Sequence, residues 1–435
     1  MDGYAETEFK ETEVGPIPVE WDVVPLGEMA DYVNGAAFKP SQWSDKGLPI
    51  VRIQNLTGTS EVFNCFEGEL PTKYLLRDGD LLISWSASLG VFRWYGGDAW
   101  LNQHIFKVVN IRESVDGSFL QFVVRYHIGL LTQKTRGSTM RHVVRETFLE
   151  TAMPLPPLPE QRRIAAVLNA IQEAIAAQED VIAAARAFKR SLMQRLFTYG
   201  PGPVPAETKE TEVGPIPVEW EFCPIGELVL EVTGGDWGEE SGAQGLIECY
   251  VVRGTDFGDV QSGVFTDVPR RHIKPASLAK RQLKSDSLLV EISGGSEYQP
   301  TGRLLRTTSS TLEKAQSPVV FTNFLKLIRL DTSATTPAFF QLFWEYLYGL
   351  GRTRVYEKRT TGIRNFKFKE FFENEVVLLP PLPEQRRIAD MLNAVEQSIA
   401  VEEDRRAALQ DLFKSALHQL MTGRIRLLSD EGLPL

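Results

Sequence analysis

The chain has 435 residues, 43% of them hydrophobic and 24% charged, with a formal net charge of −10; that length exceeds one ordinary core and requires two or more domains. Its three cysteines (Cys65, Cys223 and Cys249) have no CxxC spacing, which excludes a disulfide framework and a zinc site and points to a reducing, cytoplasmic setting. No uninterrupted apolar run of about 18 residues offers a membrane span.

The acidic opening MDGYAETEFKETE has no apolar segment and does not read as a secretion signal. The block KETEVGPIPVEW at Lys10–Trp21 follows. Residues 22–155 then read as a mixed α/β domain. VPLGEMADYVNGAAF, PIVRIQNL, GDLLISWS and HIFKVVNI are short strands parted by Gly, Asp, Asn and Ser turns, and GSFLQFVVRYHIGLL is an amphipathic helix. LPPLPEQRRIA at Leu155–Ala165 opens a long helix, expected over 160–198, because the proline run cannot continue a helix and EQRRIA favours one. Its apolar stripe is Ile164, Leu168, Ile171, Ile175, Ile182, Leu192 and Leu196, on three- and four-residue steps.

The chain then repeats itself. Lys10–Trp21 recurs unchanged at Lys209–Trp220, and Leu155–Ala165 recurs unchanged at Leu379–Ala389. The first pair is 199 residues apart and the second 224, so 25 extra residues lie in the second variable segment. TPAFFQLFWEYLYGL is its amphipathic helix. The second long helix, expected over 384–422, carries Ile388, Leu392, Val395, Ile399, Leu409, Phe413 and Leu420, with Gln178, Glu402 and Arg406 interrupting the two stripes. At about 1.5 Å per residue each helix is roughly 60 Å long and overshoots its own domain, so the two are expected to pack on each other. The segments are 1–155, 156–199, 200–379 and 380–435. The fold class is mixed α/β: two similar domains, two long helices packed on each other and a pseudo-two-fold repeat.

Net negative charge argues against a DNA-binder, but its placement weakens the objection. Residues 1–21 carry six acids and one lysine, and residues 200–220 four acids and one lysine. The bases bunch near the end of each variable domain: Arg125, Lys134, Arg136, Arg141 and Arg145 in one, and Arg352, Arg354, Lys358, Arg359, Arg364, Lys367 and Lys369 in the other. One such cluster is an ordinary solvated loop; two in equivalent places point to phosphates.

Catalytic patterns are missing from the sequence. The five histidines share no metal-ligand spacing, no GxxxxGK[ST] occurs, TGGDWG reads as a turn and SGGSEY is no GxSxG elbow. For DNA contact, the clustered Lys and Arg would neutralise phosphates. Arg93, Asn102, Gln103, Gln299, Arg303 and Asn365 have the paired hydrogen-bonding groups that read base edges. Trp85 and Tyr298 are stacking or wedge candidates for which a core role is equally open. Lys39 is a phosphate contact or a bystander. Arg162, Arg163, Arg386 and Arg387 sit at helix starts, where the dipole disfavours cations, and are candidates for pairing with a partner's acids.

The doubled order of these features resembles the specificity subunits of type I restriction–modification enzymes over nearly the whole chain. The resemblance is carried by GPIPVEW before each domain, LPPLPEQRRIA before each helix, DGDLLISWSASLG with NQHIFKV, and SLLVEISGGSEYQPTGR. GSTMR at 137–141, with Ser138 and Thr139, and GIRN at 362–365 look like the family's basic loop ending each domain. The resemblance implies two target-recognition domains, each reading half of a bipartite double-stranded DNA target. It implies that the two long helices form an antiparallel coiled coil that sets the spacer and docks two modification (methyltransferase) subunits, with a restriction–translocation subunit joining. S-adenosylmethionine, ATP and Mg²⁺ would belong to those partners, and this chain would hold no cofactor, metal or catalytic residue. A coiled-coil scaffold with protein-binding domains, an enzyme with an unrecognised site and the specificity subunit of a related type II system are the alternatives.

Overall fold

The computed structural model describes residues 7–85, 89–134, 145–205, 207–211, 214–240, 244–360 and 363–428. It divides into two compact units, residues 1–180 with 404–435, and 181–403.

In the first unit Asp22–Pro25 pairs antiparallel with Ala152–Leu155, so the two ends of the variable segment are tied together. Between them lie two four-stranded sheets. One runs Cys65–Phe66, Leu48–Val51, Ala99–Leu101, Leu75–Leu76; the other runs Asp31–Asn34, Ile105–Val109, Leu81–Ser84, Gly90–Arg93. Helix Gly117–Lys134 turns Phe119, Leu120, Phe122, Val123 and Val124 into the core. The second unit ties its ends in the same way, Glu221–Pro224 against Val376–Leu379. It carries a four-stranded sheet (Val229–Gly234, Leu325–Leu330, Leu288–Glu291, Leu304–Arg306) and a three-stranded one (Arg270–Ile273, Ile247–Val252, Val319–Phe321). Helix Pro337–Gly349 begins with a Thr336 cap that accepts from Phe339 N.

The long helices span Leu158–Tyr199 and Leu382–Met421. Each starts two residues before its expected position, because a proline in the first turn lacks only an N–H that has no intrahelical partner there. Gly200 (φ 78°) and Gly423 (φ 66°) follow their ends in the left-handed conformation that glycine adopts without strain. Each unit takes a piece of both helices, in antiparallel sense. In the first, Arg163 Nε donates to Leu427 O, while Ile175, Ala176 and Glu179 share a groove with Gln410, Phe413 and Leu417. In the second, Arg186 pairs with Glu403, Lys189 Nζ lies 2.6 Å from Glu396, and Gly200 abuts Glu384. Of the polar interruptions, Gln178 is buried, and Glu402 and Arg406 are half-buried, Arg406 with its Nε unpartnered.

The doubled blocks meet inside each unit. Trp21 Nε1 donates to Glu160 at 3.0 Å, and Trp220 Nε1 donates to Glu384 at 3.3 Å. The neighbouring glutamines, Gln161 and Gln385, are fully buried and satisfied by backbone on both sides. Thus KETEVGPIPVEW and LPPLPEQRRIA recur together because the tryptophan of one is bonded to the glutamate of the other.

With Phe119 set against Phe339, His127 corresponds to Leu347. His127 is 8% exposed and its Nε2 has no partner, so burial pulls its pKa down to about 4. The folded state therefore resists protonation. Stability is fully present above the ordinary histidine pKa of about 6.5 and falls, by roughly 3 kcal/mol, as pH drops from there to about 4. His127→Leu is expected to remove that part of the pH dependence; superimposable stability–pH profiles of the two proteins would disprove it.

Candidate nucleic-acid interface

In both units parallel strands end side by side, and the turns beyond them share one frame. In the first, Val51 is in register with Leu101, so Arg52 and Asn102 are the next residues out. Gly35 lies so close beneath that a Cβ there would be 2.0 Å from Asn102 O. Ala36 N donates to Leu101 O, and Trp85 N donates to His104 O at 3.2 Å. In the second unit Val252 is in register with Phe321, leading to Arg253 and Thr322. Gly235 takes the place of Gly35, 1.9 Å from Thr322 O by the same measure. Asp236 N donates to Phe321 O, and Ile292 N donates to Phe324 O at 2.9 Å. Larger side chains at Gly35 or Gly235 would force these turns apart.

On this shared frame the side chains differ. Asn102 corresponds to Thr322 and His104 to Phe324. The turn after Ser84 is also shorter: Ile83 pairs with Val91, whereas Val290 pairs with Leu304, six residues more. Those six residues carry Tyr298, which is 97% exposed. The turn beneath it is braced by Ser296 N donating to Gln299 O, Gln299 N to Ser296 Oγ, and Arg354 Nη2 to Glu297 O at 2.9 Å. The hairpin Glu357–Thr360 with Ile363–Phe366 joins this edge, Ser293 pairing with Asn365.

The expected contact residues divide into two groups. Lys39, Tyr298 and Gln299 are exposed on the turns, Arg354 and Lys358 are exposed on the short helix and hairpin strand that adjoin them, and Gln103 is half-buried. Others are committed to the frame. Arg93 brackets strand and helix, donating to Gln121 at 3.2 Å and Gly79 O at 3.0 Å; Arg306 does the same with Gln341 and Asp286. Arg303 forms a two-bond pair with buried Glu291, at 2.8 and 2.6 Å. Arg364 pairs with Glu357, and Arg352 holds Glu375 through two bonds. Trp85 stacks on Phe106 and donates to Asn34, so its core role is the one observed. Asn102 accepts from Gln103 N, and Asn365 accepts from Ser293 Oγ. Reading base edges with Arg303 or Arg364 would require breaking ion pairs already made, and with Arg93 its bonds to Gln121 and Gly79. Arg136, Ser138, Thr139 and Arg141 lie outside the described residues, as do the side chains of Lys134 and Arg359. Arg162, Arg386 and Arg387 are exposed, whereas Arg163 is bonded to Leu427 O.

Sequence reasoning passed over Arg52 and Trp43. Arg52 lies over the Trp43 ring, 5.0 Å from its centroid, and Trp43 is 39% exposed. The recoverable signal was an apolar strand ending in arginine in both halves, Val51-Arg52 and Val252-Arg253, with Asn55 or Asp256 three residues on. Among the described residues no three metal-ligating side chains converge, and no helix is long and apolar enough to cross a membrane.

Residues 18–184 match the family described as type I restriction modification DNA specificity domain. The chain is 21% identical to the type I restriction enzyme MjaVIII specificity subunit of Methanocaldococcus jannaschii, over 98% of each chain. Its fold is similar to a solved structure described as the basis of complex assembly and conformational transition of the type I R-M system, with a TM-score of 0.54, 19% identity and coverage of 94% of this chain and 99% of that one. It is also similar to the type I restriction–modification S subunit from M. genitalium, with a TM-score of 0.51, 13% identity and coverage of 92% and 96%.

Proposed function

We propose, from the premise that the chain belongs to the type I restriction–modification DNA specificity family, that it reads a bipartite double-stranded DNA target, one half-site by the turns of each unit. The observation that carries this reading is the shared frame with unlike side chains: Gly35 and Gly235 hold equivalent turns, while Asn102 corresponds to Thr322 and His104 to Phe324. One backbone solution with two sets of side chains suits one docking mode on two different sequences. In this reading the long helices keep the two readers apart, set the unread spacer as a coiled coil, and dock two modification subunits. Arg162, Arg386 and Arg387 are the exposed cations offered there. A restriction–translocation subunit joins that complex, and S-adenosylmethionine, ATP and Mg²⁺ are held by the partners, where the chemistry takes place. This chain then supplies recognition and no catalytic group.

The test is domain exchange. Replacing residues 22–155 with the corresponding segment of a relative of different specificity is expected to change one half-site and leave the other half-site and the spacer alone. Mapping modified bases in DNA exposed to the complex reads the result. A change in both half-sites would refute the assignment of one reader to each unit.

A further inference from the structure

We infer that Arg52, held over the Trp43 ring, is the specificity-determining residue for a guanine in the half-site read by the first unit. The inference rests on the proposed DNA-reading function and adds to it one residue and one base.

The argument comes from a difference between equivalent positions. Arg253 is neutralised within its own turn: its Nε lies 2.9 Å from Asp256 Oδ2, its Nη2 2.7 Å from Oδ1, and Nη2 also donates to Asp267 O at 3.1 Å. Arg52 begins an equivalent turn. Its backbone N donates to Asn55 Oδ1 at 3.1 Å, just as Arg253 N donates to Asp256 Oδ2 at 2.8 Å. Asparagine in place of aspartate leaves the cation without its acid. No carboxylate among the described residues pairs with Arg52, and its Nε is buried with no hydrogen-bond partner. With no acid beside it, the guanidinium keeps its terminal Nη donors for an acceptor supplied from outside the unit. The cation is nevertheless held in place, because it lies over the half-exposed Trp43 indole. Stacking restricts the side chain before binding and reduces the entropy lost on contact. Asn102 and Gln103 lie beyond the adjoining strand end, and exposed Lys39 is on the neighbouring turn. A forked, preorganised donor with no internal acceptor is suited to the O6 and N7 acceptors on the major-groove edge of guanine. A phosphate is the other acceptor it could meet, and the two are separable by experiment.

The experiment uses the full chain assembled with its methyltransferase subunits and a library of bipartite duplexes. Two variants are compared with the wild type. Arg52→Lys keeps the charge and removes the fork. Asn55→Asp keeps the arginine and supplies the acid that Asp256 supplies in the second unit. Both are expected to relax selection at the same guanine by roughly 5- to 150-fold, in the half-site that travels with residues 22–155, and to leave the other half-site intact. An unchanged motif in variants that melt with the wild type overturns the inference while leaving the DNA-reading function standing. So does uniform weakening on every sequence with a salt slope reduced by about 1, which would place Arg52 on a phosphate. If one variant fails to fold, the other decides. A wild-type complex that selects no motif overturns the proposed function and the inference with it.

Discussion

Arg426→Met is expected to destabilise the first unit by roughly 3–5 kcal/mol, the usual cost of leaving a buried charge without its partner. Glu160 is 1% exposed and sits in the first turn of the first long helix. Arg426 reaches it with two bonds, Nε to Oε1 at 2.8 Å and Nη2 to Oε2 at 3.0 Å, and reaches Glu20 with a third at 2.9 Å. Its guanidinium also lies over the Trp21 ring, 5.7 Å from the centroid. Removing it leaves the carboxylate with Trp21 Nε1, the more distant Leu427 N and the helix dipole, which together do not replace a bidentate cation. The second unit provides an internal control. Glu384 has the tryptophan bond but, among the described residues, no arginine bonded to it; it is less deeply buried, and its pKa is raised, chiefly by desolvation. Hydrogen exchange resolves the two units. Protection should fall at residues 158–165 and be retained at 382–389, and adding Glu160→Gln to Arg426→Met should restore part of it. Equal protection in wild type and Arg426→Met would show that water replaces the arginine at little cost.

Gln161→Leu and Gln385→Leu should each cost about 3 kcal/mol or more, in the unit that carries the substitution. The side chains are nearly equal in volume, so the loss is one of hydrogen bonds. Gln161 Oε1 accepts from Asp116 N at 2.8 Å, and its Nε2 donates to Ser114 O at 2.9 Å and Pro156 O at 2.8 Å. Gln385 Oε1 accepts from Thr336 N at 2.9 Å and Thr335 Oγ1 at 3.1 Å, and its Nε2 donates to Ala334 O and Pro380 O, both at 2.9 Å. Each glutamine thus staples three segments: the proline run, the start of its long helix, and the loop leading into the domain's own amphipathic helix. A leucine leaves backbone groups unpaired in the proline run and in the loop. Chemical denaturation of the two single variants, followed by domain-resolved exchange, checks this. Losses below about 1 kcal/mol would mean that water reaches these groups in the folded state.

Much of the architecture was legible in one dimension, because it is encoded at short range. The repeat is a matter of identity between blocks. The long helices follow from a 3.6-residue apolar period opened by proline and glutamate and closed by glycine, and their observed limits differ from expectation by no more than two residues at either end. The two amphipathic helices follow from the same period. The fate of each arginine was not legible, because it depends on which carboxylate the fold delivers. Arg303 and Glu291 are 12 residues apart, Arg352 and Glu375 are 23, and Arg426 and Glu160 are 266. A basic residue reads the same in sequence whether a distant acid neutralises it or leaves it free, so Arg303 and Arg364 read as candidate base readers although the fold pairs them with Glu291 and Glu357. Local sequence and local charge therefore determined the repeat, the helices and the lack of recognisable catalytic patterns. Only the tertiary structure decided which cations are consumed internally, because desolvated ion pairs are made by through-space neighbours, which strand register and chain closure choose.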